Sequence, residues 1–304
     1  MTTHSRRRFA AVAAALPLLA ALPGTRAEAA PRRTTVFVAG DSTASVYAGD
    51  LAPRAGWGQA LPVFAASRLA VDDRALSGAS SKSFADLGLL DALLADIRPG
   101  DRLLVSFGHN DEKTGDPARG TDPYTTYQQY LGRYVEGARR RRALPVLVTP
   151  VERRRFDAAG HAYASHGLYP QAMRDLAGRE RVPLIDLQAL SLARWEALGA
   201  EASKEYFLWS AAGELPSYPD GVADNTHFQA HGAIEVARLV ARELHDRRLL
   251  PPGSLRRLGD RHIADAELHW PPAAGGGAPP PGGGAGGGGG GARGGGRARP
   301  SPRA

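Results

Sequence analysis

Apolar side chains in this chain follow two periods that alternate along its length. Thr35-Val36-Phe37-Val38-Ala39 is a short run rich in β-branched residues that stops at Gly40, the pattern of a buried strand. Leu103-Leu104-Val105-Ser106-Phe107 stops at Gly108 in the same way, and Val146-Leu147-Val148-Thr149 stops at Pro150. Pro183-Leu184-Ile185-Asp186-Leu187 is a fourth run, and the stretch from Ala70 to Leu76 is a weaker one. Between these runs the spacing changes to three and four. Phe84, Leu87, Leu90, Leu93, Leu94 and Ile97 form one stripe and predict a helix over 83–97. Tyr130, Leu131, Tyr134, Val135 and Ala138 predict a second over 127–142. Ala233, Val236, Ala237, Val240 and Leu244 predict a third over 233–244. Strands alternating with helices imply an α/β fold, with a doubly wound parallel sheet covered on both faces by right-handed crossovers. In such sheets, ligands sit beyond the carboxyl ends of the strands.

Charge alters this picture only at the ends. The 304 residues carry a net charge of +7, which on its face suggests a nucleic-acid or membrane-surface binder. Residues 1–30 hold four arginines and one glutamate, and residues 271–304 hold four arginines and no acid. The remaining 30 bases and 30 acids leave the body neutral, so nothing calls for a nucleic-acid partner. At the start, Ser5-Arg6-Arg7-Arg8-Phe9 precedes an apolar run from Ala10 to Pro23 and the small pair Ala27 and Ala29. That is the layout of a secretory signal, too short to span a bilayer permanently. The paired arginines resemble a twin-arginine signal. Residues 1–29 are therefore expected to direct export by the twin-arginine machinery to the periplasm or beyond. The mature chain is expected to be a monomer that is not embedded in the membrane. After residue 270 lie 15 of the 37 glycines, in a segment with too little apolar surface to offset its ordering entropy. Residues 31–270 then form one domain, and 271–304 a disordered tail. There is no cysteine, which removes thiolate nucleophiles, disulfides and Cys-ligated zinc.

Four polar blocks follow strands or precede the last helix. Gly40-Asp41-Ser42-Thr43-Ala44-Ser45 can present the Ser42 hydroxyl at a strand-to-helix turn, although Asp and Ser serve equally as helix caps. Ser77-Gly78-Ala79-Ser80-Ser81 contains a glycine that lets backbone approach a ligand, or forms a plain turn. In Gly108-His109-Asn110-Asp111, the Asn amide can donate to an oxyanion or close an Asx-turn. Asp224-Asn225-Thr226-His227-Phe228 places a carboxylate three residues from an imidazole. That spacing can fix the ring tautomer or leave a surface His beside a capping Asp.

Taken together, Ser42, Gly78, Asn110 and His227 fall in order on the four blocks that name the SGNH, or GDSL-type, hydrolases. The chain resembles that superfamily over Val36 to Leu244. Within it, the chain is most similar to the rhamnogalacturonan acetylesterases, which share the GDSTA start, Gly56-Trp57-Gly58, the FGHND block and the D-x-T-H-F block. The resemblance implies the SGNH hydrolase fold, a flavodoxin-like three-layer sandwich around a five-stranded parallel sheet. It implies a serine esterase acting on acetylated plant cell-wall polysaccharide, with no cofactor and no metal. Ser42 would be the nucleophile, His227 the general base and Asp224 the residue orienting it. The Ser42 and Gly78 N–H groups and the Asn110 amide would form the oxyanion hole.

Two positions depart from the group. Asp73 stands where Asn is usual and Ala79 where Arg is usual, leaving Lys82 as the nearby positive charge. Trp57, Trp195 and Trp209 can stack on sugars, but core packing is the simpler expectation. The insertion from Val151 to Tyr169 is expected to shape a groove, and its His161 and His166 are read as solvated loop residues rather than ligands. Other activities of the same superfamily on short-chain esters or other glycans remain open. A metallophosphoesterase lacks support because its Asp-x-His pair and second Gly-Asp segment are missing. A non-catalytic carbohydrate-binding protein would have no need of Ser42, Asp224 and His227.

Overall fold

The period-two pattern builds the sheet. A computed structural model describes residues 32–273. The expected export signal, and all of the expected tail but its first three residues, lie outside them. In chain order the elements are β1 (Thr34–Gly40), β2 (Arg54–Ala55), α1 (Trp57–Ala60), β3 (Leu69–Asp73), α2 (Ser81–Asp86), α3 (Leu89–Asp96), β4 (Arg102–Ser106), α4 (Gln128–Arg140) and β5 (Leu144–Val148). They continue with α5 (Tyr169–Glu180), β6 (Leu184–Ile185), α6 (Leu187–Ala202), β7 (Phe207–Ser210), β8 (Val222–Gln229) and α7 (Ala230–Asp246). Five strands form a parallel sheet in the order β3-β1-β4-β5-β6, the doubly wound arrangement expected. Alternate residues of each strand feed two cores. Val36, Val38, Leu104, Val146 and Ile185 pack with α1, α6 and α7, whereas Phe37, Ala39, Leu103, Val105 and Leu147 pack with α2 to α5. Side chains that alternate across a strand require a helical layer on each face.

The helix expected over 83–97 is two helices. Gly88 has φ +76° and ends α2 in a left-handed turn, leaving Leu87 exposed; glycine fills that position without a Cβ clash. Helices α5 and α6 were not foreseen. The buried face of α6 includes Gln188 and Ser191 beside Leu187 and Trp195, so its apolar stripe is interrupted. The small antiparallel sheet β2-β8-β7 was also missed, because its pairings join distant segments.

Past α7 the chain returns to the loop after β1. Gln59 Nε2 donates to His269 O (2.9 Å), Trp270 Nε1 to Arg54 O (3.0 Å) and Gly49 N–H to Pro271 O (2.9 Å). The first residue assigned to the tail is thus bonded to the domain.

Asp73 ends β3 and is part-buried, with its Oδ2 enclosed, and desolvation raises its pKa well above the ordinary carboxylate value. Its Oδ1 accepts the Ala75 N–H (3.0 Å), while Oδ2 has no partner. A neutral acid is the closest charge-free relative of the usual amide. A carboxyl whose folded pKa exceeds its unfolded value of about 3.9 holds a proton that the unfolded chain has released. Stability therefore falls as pH rises from about 4 to the folded pKa. Asp73→Asn removes this cost. Thermal unfolding should show a higher melting temperature for the variant at pH 7, with the gain shrinking toward pH 4. A lower melting temperature at both pH values would contradict a neutral Asp73.

Candidate active site

The turn after β1 is organised by Asp41. Its Oδ1 accepts the Thr43 N–H (2.9 Å) and Thr43 Oγ1–H (2.8 Å), and its main-chain carbonyl accepts the N–H groups of Ala44 and Ser45. These bonds use every N–H of the turn except that of Ser42, which has no acceptor among the described residues. The turn leads into a loop rather than the helix expected. Gly56-Trp57-Gly58 packs directly on that turn: a Cβ on Gly56 would come within 2.3 Å of the Ala44 carbonyl carbon. The Trp57 N–H donates to Thr43 O (2.9 Å) and its indole is buried in the core.

The second block forms a turn closed by Ala79 N–H to Leu76 O (3.0 Å), with Gly78 at φ +84°. Nothing lies within 4 Å of where a Gly78 Cβ would sit, and the Gly78 N–H has no acceptor among the described residues. In the third block, Asn110 Nδ2 donates one hydrogen to Ala79 O (2.9 Å). An amide nitrogen carries two, so the second is left for another acceptor.

The fourth block lies in β8, not in a loop. Phe207 faces Phe228 and Trp209 faces Ala223, so Leu208 alone stands opposite the stretch from Asp224 to His227. A bulge of this kind pushes residues out of the ladder and re-aims their side chains. Asp224 Oδ1 accepts the N–H groups of Thr226 (2.7 Å) and His227 (3.0 Å). Its Oδ2 accepts His227 Nδ1–H at 2.7 Å, and His227 Nε2 meets Ser42 Oγ at 2.9 Å. Burial would raise the Asp224 pKa, but the bonds and charge of His227 outweigh it and hold the carboxylate at about 2. The three residues expected to act together are therefore in one hydrogen-bonded line.

The remaining candidates meet mixed outcomes. His166 is buried, not solvated: Nε2 faces Val151 O (2.9 Å) and Nδ1 is bonded to Glu112, which also pairs with Arg153 (3.0 Å). His161 is exposed beside Glu196. Lys82 donates to Pro117 O (2.6 Å) and lies 3.7 Å from Asp86, so its charge is already engaged. Trp57 and Trp195 are fully enclosed. Trp209 is part-buried, with the Arg154 guanidinium 5.0 Å and Lys204 Nζ 4.9 Å from its ring. Its Nε1 donates to Asn225 Oδ1 (3.2 Å), making it a brace for the bulge. Among the described residues no group of three His, Asp or Glu is arranged to hold a metal ion, and no helix is long and apolar enough to cross a membrane.

Residues 38–233 match the GDSL-like lipase/acylhydrolase family. The chain belongs to that family. It is 45% identical over 229 residues to the rhamnogalacturonan acetylesterase RhgT of Bacillus subtilis, covering 75% of this chain and 97% of that one. The probable rhamnogalacturonan acetylesterase YesY of the same organism is 41% identical over 211 residues, covering 69% and 92%. The crystal structure of Bacillus subtilis protein YxiM superposes with a TM-score of 0.61 at 27% identity, covering 72% of this chain and 58% of that one. The family makes this chain a carboxylic ester hydrolase of α/β fold.

His109, which the sequence places in the third block without assigning it a part, belongs to the frame of the site. Its Nδ1–H donates to Asp41 Oδ2 at 3.1 Å, and the ring is buried edge-on against His166. Burial lowers its pKa to about 4, so the ring is neutral at working pH. A histidine NMR titration should find His109 unprotonated down to about pH 5. A midpoint near 6.5 would contradict that environment.

Proposed function

We propose that this chain is an exported acetylesterase that removes acetyl groups from rhamnogalacturonan through a covalent serine intermediate. The observation that carries the mechanism is the line Asp224–His227–Ser42, with bonds of 2.7 and 2.9 Å. Ser42 Oγ attacks the ester carbonyl while His227 Nε2 takes its proton. The ionised Asp224 keeps Nδ1–H in place and stabilises the imidazolium. Negative charge developing on the carbonyl oxygen is met by the N–H groups of Ser42 and Gly78, both without internal acceptors, and by the second N–H of Asn110. His227 returns its proton to the leaving sugar hydroxyl. Water, activated by the same imidazole, then releases acetate. No step calls for a metal or a cofactor.

The substrate reading is supported by identity of 45% and 41% to two proteins named for rhamnogalacturonan deacetylation. Export is supported by the arginine cluster, apolar run and small pair of residues 5–29. An enzyme acting on plant cell-wall polymer must meet it outside the cytoplasm, and the twin-arginine route delivers proteins already folded.

Purified protein should release acetate from acetylated rhamnogalacturonan, and faster than from acetylated xylan. Ser42→Ala should abolish release with an unchanged melting transition. Asn110→Ala should lower kcat by about 10²–10³, and EDTA should have no effect. Equal rates on xylan or triacetin would overturn the substrate, and wild-type activity in Ser42→Ala would overturn the mechanism. Export has its own check: Arg6→Lys with Arg7→Lys should retain the precursor in the cytoplasm, whereas normal export would count against the twin-arginine route.

A further inference from the structure

The second block lacks an arginine, since Ala79 stands in its place, and Lys82 is turned to Pro117 and Asp86. A different cation stands beside the nucleophile. β2 pairs antiparallel with β8, setting Arg54 opposite Gln229, two residues beyond His227. The next pair, Ala55 and Phe228, is buried in the core. Arg54 therefore projects from the other face, because successive strand residues alternate. Its guanidinium carbon lies 4.4 Å from the centroid of the Tyr47 ring, and Tyr47 Oη–H donates to the Ser42 carbonyl at 2.7 Å. Arg54 is one side chain away from the nucleophile.

This guanidinium has no acidic partner among the described residues. Other arginines near the site are engaged: Arg153 with Glu112, and Arg154 with Asn225 and Ser203. Arg54 pairs with no acid among the described residues: its guanidinium lies against the hydroxyls of Tyr47 and Tyr218, and its Nε is enclosed without an acceptor. The Tyr218 hydroxyl is enclosed and stands against the same guanidinium. A planar fork fixed on an aromatic ring, with no acid paired to it, is preorganised for a carboxylate. The described domain is otherwise close to neutral, so this charge is not one of a general basic surface.

We propose that the terminal guanidinium nitrogens of Arg54, braced by Tyr47 and Tyr218, bind the carboxylate of a uronic acid residue of the substrate and hold its acetylated ring against Ser42. Arg54 thus sets specificity for acidic over neutral acetylated glycans, an assignment that rests on the acetylesterase reading above. The attraction acts at close range and weakens as salt screens it.

The test compares two forms of one acetylated rhamnogalacturonan oligosaccharide, with galacturonate carboxyls free or methyl-esterified, by acetate release. The quantity read is the ratio of kcat/KM on the free acid to that on the methyl ester, in which any general loss of activity cancels. The wild-type ratio should lie well above one and fall with added salt. Arg54→Gln should lower it about 10- to 100-fold, as expected for losing a charge-assisted pair. Arg54→Lys should restore it in part, since charge returns without the fork. A high wild-type ratio unchanged in Arg54→Gln would overturn the role of Arg54 and leave the acetylesterase reading intact. A wild-type ratio near one, despite acetate release from both forms, would overturn carboxylate recognition altogether. No release from either form would overturn the acetylesterase reading itself.

Discussion

Two buried carboxylates tie three strand ends together, and the geometry around Ser42 depends on them. Asp41, at the end of β1, accepts from the backbone and hydroxyl of Thr43 and from His109 at the end of β4. Burial would raise its pKa, but His109 and Thr43 outweigh that and hold it at about 2. Asp111, three residues beyond Gly108, accepts from the Ser81 N–H and hydroxyl and from Thr121. Burial and the nearby Asp41 push its pKa up to about 7, against the pull of the Ser81 bonds. A buried carboxylate left without partners costs several kcal/mol, so each one fixes the loops that satisfy it. Asp41 joins the Ser42 turn to the His109-Asn110 segment. Asp111 joins that segment to the loop after β3. The three proposed oxyanion donors are thus set relative to one another by bonds lying beneath them.

The fourth contributor is set by a different device. His227 reaches Ser42 because one residue of β7 faces four of β8, which lifts Asp224 to His227 out of the ladder. Asn225 secures the bulge from the insertion side, taking hydrogens from Arg154 and Trp209 and bonding through its carbonyl to the Arg154 N–H. The insertion is itself fixed inward by Glu152, which accepts from Ser165 and from Gln188 on α6. The buried polar face of α6 therefore serves the site.

These origins explain what could be read in advance. The strands and the four blocks were legible because strand period and turn chemistry are local, and Ser42, Asn110, Asp224 and His227 each sit within such a local signal. The β8 bulge was not, since it depends on register with β7, and Asp224-Asn225-Thr226-His227 taken alone looks like a loop. His166 looked solvated because it lies in a polar insertion, and only the packed structure brings Val151 and Glu112 around it. The break at Gly88 was visible, but the apolar stripe continuing across it spoke for a single helix. Arg54 carried no local signal at all, because its place beside Tyr47 follows from the pairing of β2 with β8. The basic excess proved uninformative about the domain, where a single placed arginine matters more than the net charge.

The central claim is that Ser42 is the residue activated for acyl transfer. It is tested most directly by treating the folded protein with a fluorophosphonate that labels activated serines and mapping the adduct by peptide mass spectrometry. The account predicts one adduct, on the peptide carrying Ser42, and loss of labelling in His227→Ala while the fold is retained. Labelling of a different serine, or undiminished labelling of Ser42 without His227, would contradict it.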